Sequence, residues 1–209
     1  MTGSQPPAAG AGVILSKRDL LKAGGALTLA MLTGTARQAF AQQQWDVIVV
    51  GGGTAGMPVA IFAAERGARV LVIDKAPILG GTLDRSTGQI AAAGSVFQKK
   101  KGIADSPDAH YDDIMRINGK TSDPLLCRML VDNAADTINW LADNGFEALP
   151  EHPVTGGAHE HFTTARYLWG DGGGQAIFAT MEPLFNKQVQ AGNITVLTST
   201  AVVDLVKSQ

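Results

Sequence analysis

An α/β fold with a parallel central sheet is the class that the sequence predicts, on three observations within one stretch. The apolar run Val47–Val50 is short and β-branched, as in a strand buried on both faces. Gly51, Gly53 and Gly56 then form G-x-G-x-x-G, with Thr54 and Ala55 inside it. A helical segment over residues 57–66 and a second strand over residues 69–73 follow, and Asp74 closes that strand. Strand, glycine turn, helix, strand and terminal acid, in this order, make a Rossmann-like βαβ unit of the dinucleotide-binding kind.

Each glycine of the motif has a separate task. Gly51 permits the tight turn, Gly53 lets a pyrophosphate approach the backbone, and Gly56 lets the helix pack closely on the strand. Thr54 and Ala55 lead into the helix start, whose unpaired N–H groups face the phosphates. A glycine turn alone is also a common structural connector, so the weight rests on its context. The helix carries Val59, Ala60, Ala63 and Ala64 as a small apolar face, and Gly67 ends it. Asp74 stands 18 positions after Gly56, where a carboxylate accepts hydrogen bonds from both ribose hydroxyls of an adenosine. A carboxylate there, rather than an arginine, favours FAD or NAD over NADP.

The 209 residues suffice for one domain with a real core, or for one domain and a processing segment. Hydrophobic residues at 45%, charged residues at 17% and a net charge of -2 describe a globular chain, and no basic surplus points to nucleic acid. Cys127 is the single cysteine. It lies in a helical pattern and is read as a small buried apolar residue, since alone it forms neither an intrachain disulfide nor a cysteine-based metal site.

Residues 1–41 have the three regions of an export signal, which leaves residues 42–209 for the folded domain. Ser16-Lys17-Arg18-Asp19-Leu20-Leu21-Lys22 gives a basic start, residues 23–32 give a short apolar run, and Ala39-Phe40-Ala41 is an A-x-A site cut after Ala41. The apolar run is far shorter than the roughly 20 residues that a bilayer requires, so no stable membrane span is expected. The basic stretch resembles a twin-arginine signal, S-R-R-x-F-L-K, with Lys17 for the first arginine and Leu20 for the aromatic residue, which leaves the general secretory route open. The twin-arginine route is favoured because it carries folded proteins, and a flavin is most easily inserted where it is made. The product is expected in the periplasm.

After Asp74 come Lys75 and Ala76-Pro77-Ile78-Leu79-Gly80-Gly81-Thr82, where Pro77 breaks the strand and two glycines allow a sharp backbone excursion. Residues 84–94, which include Ser86, Thr87 and Gly88, are rich in small side chains that let a flat ligand lie against the backbone. So apolar an excursion is costly to leave in water.

The pair VIVVGGGTAGMPVAIFAAERGARVLVIDK and ILGGTLDRSTGQIAAAG resembles the N-terminal FAD-binding part of the fumarate reductase and succinate dehydrogenase flavoproteins. This FAD-dependent oxidoreductase 2 family also includes ketosteroid dehydrogenases and urocanate reductase. The resemblance continues through DSPDAHYDDIMRINGKTSDPLLCRMLVDNAADTINWLADNGF. It implies that Gly80, Gly81 and Thr82, with Ser86, Thr87 and Gly88, wrap the pyrophosphate and isoalloxazine side of FAD. In respiratory members a histidine in R-S-H-T bonds the flavin covalently, whereas the run here is Arg85-Ser86-Thr87, so non-covalent FAD is expected. Members continue through a capping domain that carries most substrate-binding and proton-transfer residues. This chain is therefore expected to be the N-terminal part of the FAD-binding domain, incomplete at its C-terminus and without that cap.

Lys99, Lys100 and Lys101 read as a solvated basic loop. Ser106-Pro107 starts a helix that runs to about Asn118, with Gly119 after it, and Asp123-Pro124 starts another that Gly145 stops. In the latter Leu126, Met129, Leu130, Asn133, Ala134, Thr137, Ile138 and Leu141 form a stripe expected to pack in the core. Residues 150–174 read as loop. His159 and His161, separated by Glu160, lack a third ligand, so no metal site is expected; a histidine of this loop can serve as acid or base, but none is selected. Arg166, before the glycine-rich residues 170–174, resembles a family arginine that could lie near the flavin. A helix over residues 175–190 and strands over residues 194–197 and 201–206 end the chain.

The resemblance implies hydride transfer between flavin N5 and a C=C/CH–CH substrate, with a small-molecule substrate and an electron-transfer partner, here in an N-terminal part. A non-catalytic flavin-binding remnant is the alternative, and an NAD-dependent dehydrogenase is disfavoured by the flavin-like loop after Asp74. No catalytic residue is assigned.

Overall fold

The computed structural model describes residues 14–15, 44–157 and 160–205, the first pair by backbone alone. In chain order its elements are β1 (Ile14–Leu15), β2 (Val47–Val50), α1 (Gly56–Glu65), β3 (Val70–Ile73), β4 (Ile90–Ala91), α2 (Val96–Lys100), α3 (Pro107–Ile117), α4 (Pro124–Asp143), β5 (Tyr167–Leu168), α5 (Gly174–Gln190) and β6 (Ile194–Leu197). They form two compact units, one containing residues up to Thr82 and from Glu182 onward, the other Leu83–Met181. Apart from β1, the export signal expected over residues 1–41 lies outside the described residues.

The first unit is built on a parallel sheet in the order β1-β6-β3-β2. β3 is central: Val70 and Val72 are fully buried, and its residues pair in register from Val47 opposite Val70 to Val50 opposite Ile73 on one side, and from Ile194 to Leu197 on the other. α1 packs on β2 and β3 through Met57, Ala60, Ile61 and Ala64, an i, i+3, i+4, i+7 stripe. Val59, expected on that face, lies off the stripe and is exposed.

β2 also departs from the expectation of burial on both faces. Val49 is buried toward α1, but Ile48 and Val50 are 56% and 60% exposed. Strand side chains alternate between faces, β2 is the last strand in the order, and among the described residues nothing covers its other face. The strand expected over residues 201–206 does not form over its described part, 201–205. The N–H of Ser199 donates to Ala76 and that of Thr200 to Asp74, which draws the chain across the end of β3 and ends the pairing.

The second unit packs α3 against α4 and pairs β4 with β5 antiparallel. Both helices start on side-chain caps: Ser106 Oγ accepts from Ala109, and Asp123 Oδ1 accepts from Leu125 and Leu126, with proline at the first helical position each time. The buried face of α4 is Cys127, Val131, Ile138 and Leu141. Of the expected stripe only Ile138 and Leu141 are buried; Leu126, Met129, Leu130, Asn133 and Thr137 are exposed. The basic loop expected around Lys99 is instead the helix α2; its lysines are exposed, but Gln98 is fully buried. The stretch read as loop over residues 150–174 contains β5. No described helix is long and apolar enough to cross a membrane.

Candidate nucleotide-binding site

The turn between β2 and α1 can be built only from small residues. Gly51 has φ 97° and donates its N–H to Ile73 at 2.7 Å, which ties the turn to the end of β3. A Cβ on Gly56 would lie 1.8 Å from the carbonyl oxygen of Gly51 and 3.1 Å from Val49, so the helix leaves the strand at a distance that only glycine permits. Ala55 stands at the cap position and offers no side-chain acceptor. The backbone N–H groups of Gly53, Thr54, Ala55 and Gly56 therefore have no hydrogen-bond partner among the described residues.

Asp74 and the following loop converge on the same turn. Asp74 is buried; its Oδ2 accepts the N–H of Gly52 at 2.7 Å, and its Oδ1 accepts that of Ala76 at 2.8 Å. Gly80 donates its N–H to the carbonyl of Gly52 at 2.9 Å, and a Cβ on Gly81, where φ is 56°, would stand 3.3 Å from the Cα of Gly53. Lys75 and Thr82 are exposed beside this loop. Thus Gly51, Gly53, Thr54, Ala55, Gly56, Asp74, Gly80 and Gly81 form one cluster in the first unit, and Gly52 joins it through its N–H and carbonyl. The sequence reading missed Gly52, although its signal was present: three consecutive glycines place a third small residue where Leu79 packs.

Ser86, Thr87 and Gly88 belong to the second unit. Ser86 Oγ donates to Leu83 and accepts the N–H of Gly88, and the carbonyl of Ser86 accepts the N–H of Gly174 at the start of α5. The approach is close: a Cβ on Gly88 would lie 2.3 Å from Gly173, and one on Gly174 would lie 1.9 Å from the carbonyl of Leu83. Glycine was singled out at residues 170–174 without a reason; contact with the Leu83–Gly88 turn supplies one.

The family described as FAD binding domain matches residues 46–209. The chain belongs to that family. It is 39% identical over 117 residues to the NADH:fumarate oxidoreductase of Klebsiella pneumoniae, which covers 56% of this chain and 12% of the relative. It is 37% identical over 113 residues to a fumarate reductase (cytochrome) of Shewanella frigidimarina, covering 54% of this chain and 20% of the relative. Among solved structures, the open conformation of a flavocytochrome c3 fumarate reductase superposes with a TM-score of 0.68 at 28% identity, over 83% of this chain and 30% of that one. The chain thus spans a fifth or less of the length of these curated relatives.

FAD is accordingly the cofactor of this FAD binding domain, and the first unit fits it. The space above Gly53 is open, since a Cβ there would meet nothing closer than 3.9 Å. Four unpaired N–H groups suit a diphosphate. The carboxylate of Asp74 has about four lone-pair sites, of which two are taken by Gly52 and Ala76, leaving acceptors for hydroxyl groups.

Arg166 lies in a buried ion-pair network. It is fully buried and grips Asp105 in a bidentate pair at 2.7 and 2.8 Å, while its Nη1 donates to Asp113. Asp113 also accepts from Arg116 and from the N–H and hydroxyl of Thr163. Burial pushes the Asp113 carboxyl up, but these hydrogen bonds outweigh it and hold the group well below the usual carboxylate range. Gln98 completes the network by donating to Asp105 and Ala165 and accepting the N–H of Gly94. The guanidinium, fully buried, ties the segment before β5 to Asp105 and to Asp113 of α3, and Gln98 brings α2 to the same Asp105. His152 is buried against Trp169, His161 is exposed, and His159 lies outside the described residues. Among the described residues no group of three His, Cys, Asp or Glu is arranged to hold a metal ion.

Proposed function

We propose that this chain is the flavin-holding part of an FAD-dependent oxidoreductase of the fumarate reductase and succinate dehydrogenase type. The observation that carries the reading is the convergence of Asp74, Gly80 and an unpaired helix start on one glycine turn, in a chain of the FAD binding domain family. The N–H groups of Gly53, Thr54, Ala55 and Gly56 hold the pyrophosphate, with Gly51 shaping the turn; Asp74 accepts from the ribose, with Lys75 beside it. Gly80, Gly81 and Thr82, together with Ser86, Thr87 and Gly88, hold the flavin side. When bound, FAD supplies hydride transfer at N5 to or from a C=C/CH–CH substrate. The part of this chain is to orient the cofactor. Arg85-Ser86-Thr87 offers no histidine for a covalent bond, so the cofactor is held non-covalently. An electron-transfer partner and a small-molecule substrate complete the reaction, and the export-signal pattern read over residues 1–41 supports a periplasmic location.

Expression of the whole chain tests each part. The purified protein should show visible flavin absorbance, acid precipitation should leave the flavin in the supernatant, and the chemically reduced flavin should be reoxidised by fumarate or another activated alkene under anaerobic conditions. The exported product should begin at Gln42. A well-folded protein that takes up no flavin would sink the reading, and flavin in the acid pellet would sink non-covalent attachment.

A further inference from the structure

The far side of β6 from β3 is a strand edge, and an edge left open is a template for a further strand. The pairing with β3 shows which backbone groups lie on that side. The N–H of Val70 donates to Asn193 and that of Asp74 to Leu197, so the groups of Asn193, Thr195 and Leu197 face β3. Successive peptide groups of a strand point to opposite edges, and those of Val196 and Thr198 therefore face outward. Both residues are buried, where an unpaired backbone group is costly.

The strand at this edge comes from the N-terminal segment of the chain itself. β1 pairs with β6 in parallel, Ile14 opposite Val196 and Leu15 opposite Leu197, and no other described strand lies on that side. In this register the N–H of Leu15 is aimed at the carbonyl of Val196 and the carbonyl of Leu15 at the N–H of Thr198, while the N–H of Ile14 faces away from β6. Residues 16–46 separate β1 from β2, well over the dozen or so that a parallel crossover needs, so the segment can reach the edge within one molecule.

We propose that the outer edge of β6 is a docking site for the chain's own N-terminal segment, which covers the edge through the backbone of Leu15 until the segment is removed. A pairing of two residues is at the short end for a strand and is readily given up. Removal after Ala41 rests on the export-signal reading proposed above; docking in the uncut chain does not.

Amide hydrogen exchange of the isotope-labelled, flavin-loaded uncut chain, read residue by residue, tests this. In the parent, Val196 and Thr198 should be protected, as Thr195 and Leu197 are by β3. Leu15→Pro removes the donor to Val196 and should speed exchange of Val196 and Thr198 at least about tenfold, with Thr195, Leu197 and flavin content unchanged. Ile14→Pro loses an N–H that faces away from β6 and should keep the protection. The exported product beginning at Gln42 should exchange as Leu15→Pro does. Equal exchange of Val196 and Thr198 in parent and Leu15→Pro, or protection that survives in the product beginning at Gln42, would overturn the proposal. So would protection in the parent that rises with protein concentration, which would make a second copy of the chain the occupant. The first residue of the exported product tests the export reading and the contrast between parent and Leu15→Pro tests the docking, so the two can fail separately.

Discussion

Asp74 Oδ2 and the backbone N–H of Gly52 meet at 2.7 Å across 22 positions of sequence, joining the end of β3 to the turn after β2. The bond fixes the carboxylate at the mouth of the glycine turn before any ligand arrives, since Ala76 holds its other oxygen. Asp74→Asn turns one oxygen into a donor that faces a backbone donor. The expected cost is about 1–3 kcal/mol of stability from the buried N–H left unpaired, with FAD affinity falling roughly 10- to 100-fold. Urea unfolding and FAD titration measure the two effects. An unchanged FAD affinity would show that the carboxylate does not touch the ribose.

Gly56→Ala places a methyl group 1.8 Å from the Gly51 carbonyl, which is backbone and has nowhere to go. Turn and helix must separate, so the variant should purify with little or no flavin and a lowered melting temperature. Gly157→Ala is the control: an added Cβ there meets nothing within 4 Å, and flavin content and melting temperature should stay as in the parent.

How far the sequence could be read follows from the range over which each feature is determined. The βαβ unit, the caps at Ser106 and Asp123 and the terminal Asp74 are set by residues a few positions apart, and pattern suffices for them. On α4 the helix was legible but its buried face was not. The stripe through Leu126, Met129 and Leu130 and the one through Cys127 and Val131 are offset by about 100° per residue, and only the neighbouring elements choose between them. Arg166 joins Asp105 and Asp113 from 61 and 53 positions away, a meeting that no local spacing encodes.

Arg166→Leu leaves two buried carboxylates without their shared cation. Breaking a buried pair in this way typically costs about 3–5 kcal/mol, and urea unfolding of the variant should show a loss of that order. Arg166→Lys should fall between parent and Leu, because a lysine cannot reproduce the bidentate grip on Asp105. Flavin content in the folded fraction of Arg166→Lys should match the parent. A selective loss of flavin with stability intact would return this side chain to the cofactor site.

Acid should destabilise the second unit in two stages. His110 has its pKa lowered from 6.5 to about 4 in the folded chain. Between those values the unfolded chain binds more protons, so stability is full above 6.5, falls as the pH drops toward 4, and loses at most about 3 kcal/mol by this route. Asp113 is depressed below 3.8, so the stability it contributes is present above that value and is lost as the pH falls further. Unfolding free energies measured by urea at a series of pH values should show both stages. In His110→Phe the first should shrink to the part contributed by His152, whose imidazole burial also holds below its ordinary value, while the second remains, because Asp113 keeps its bonds to Arg116, Thr163 and Arg166. A first stage of unchanged size in this variant would assign the loss to another group.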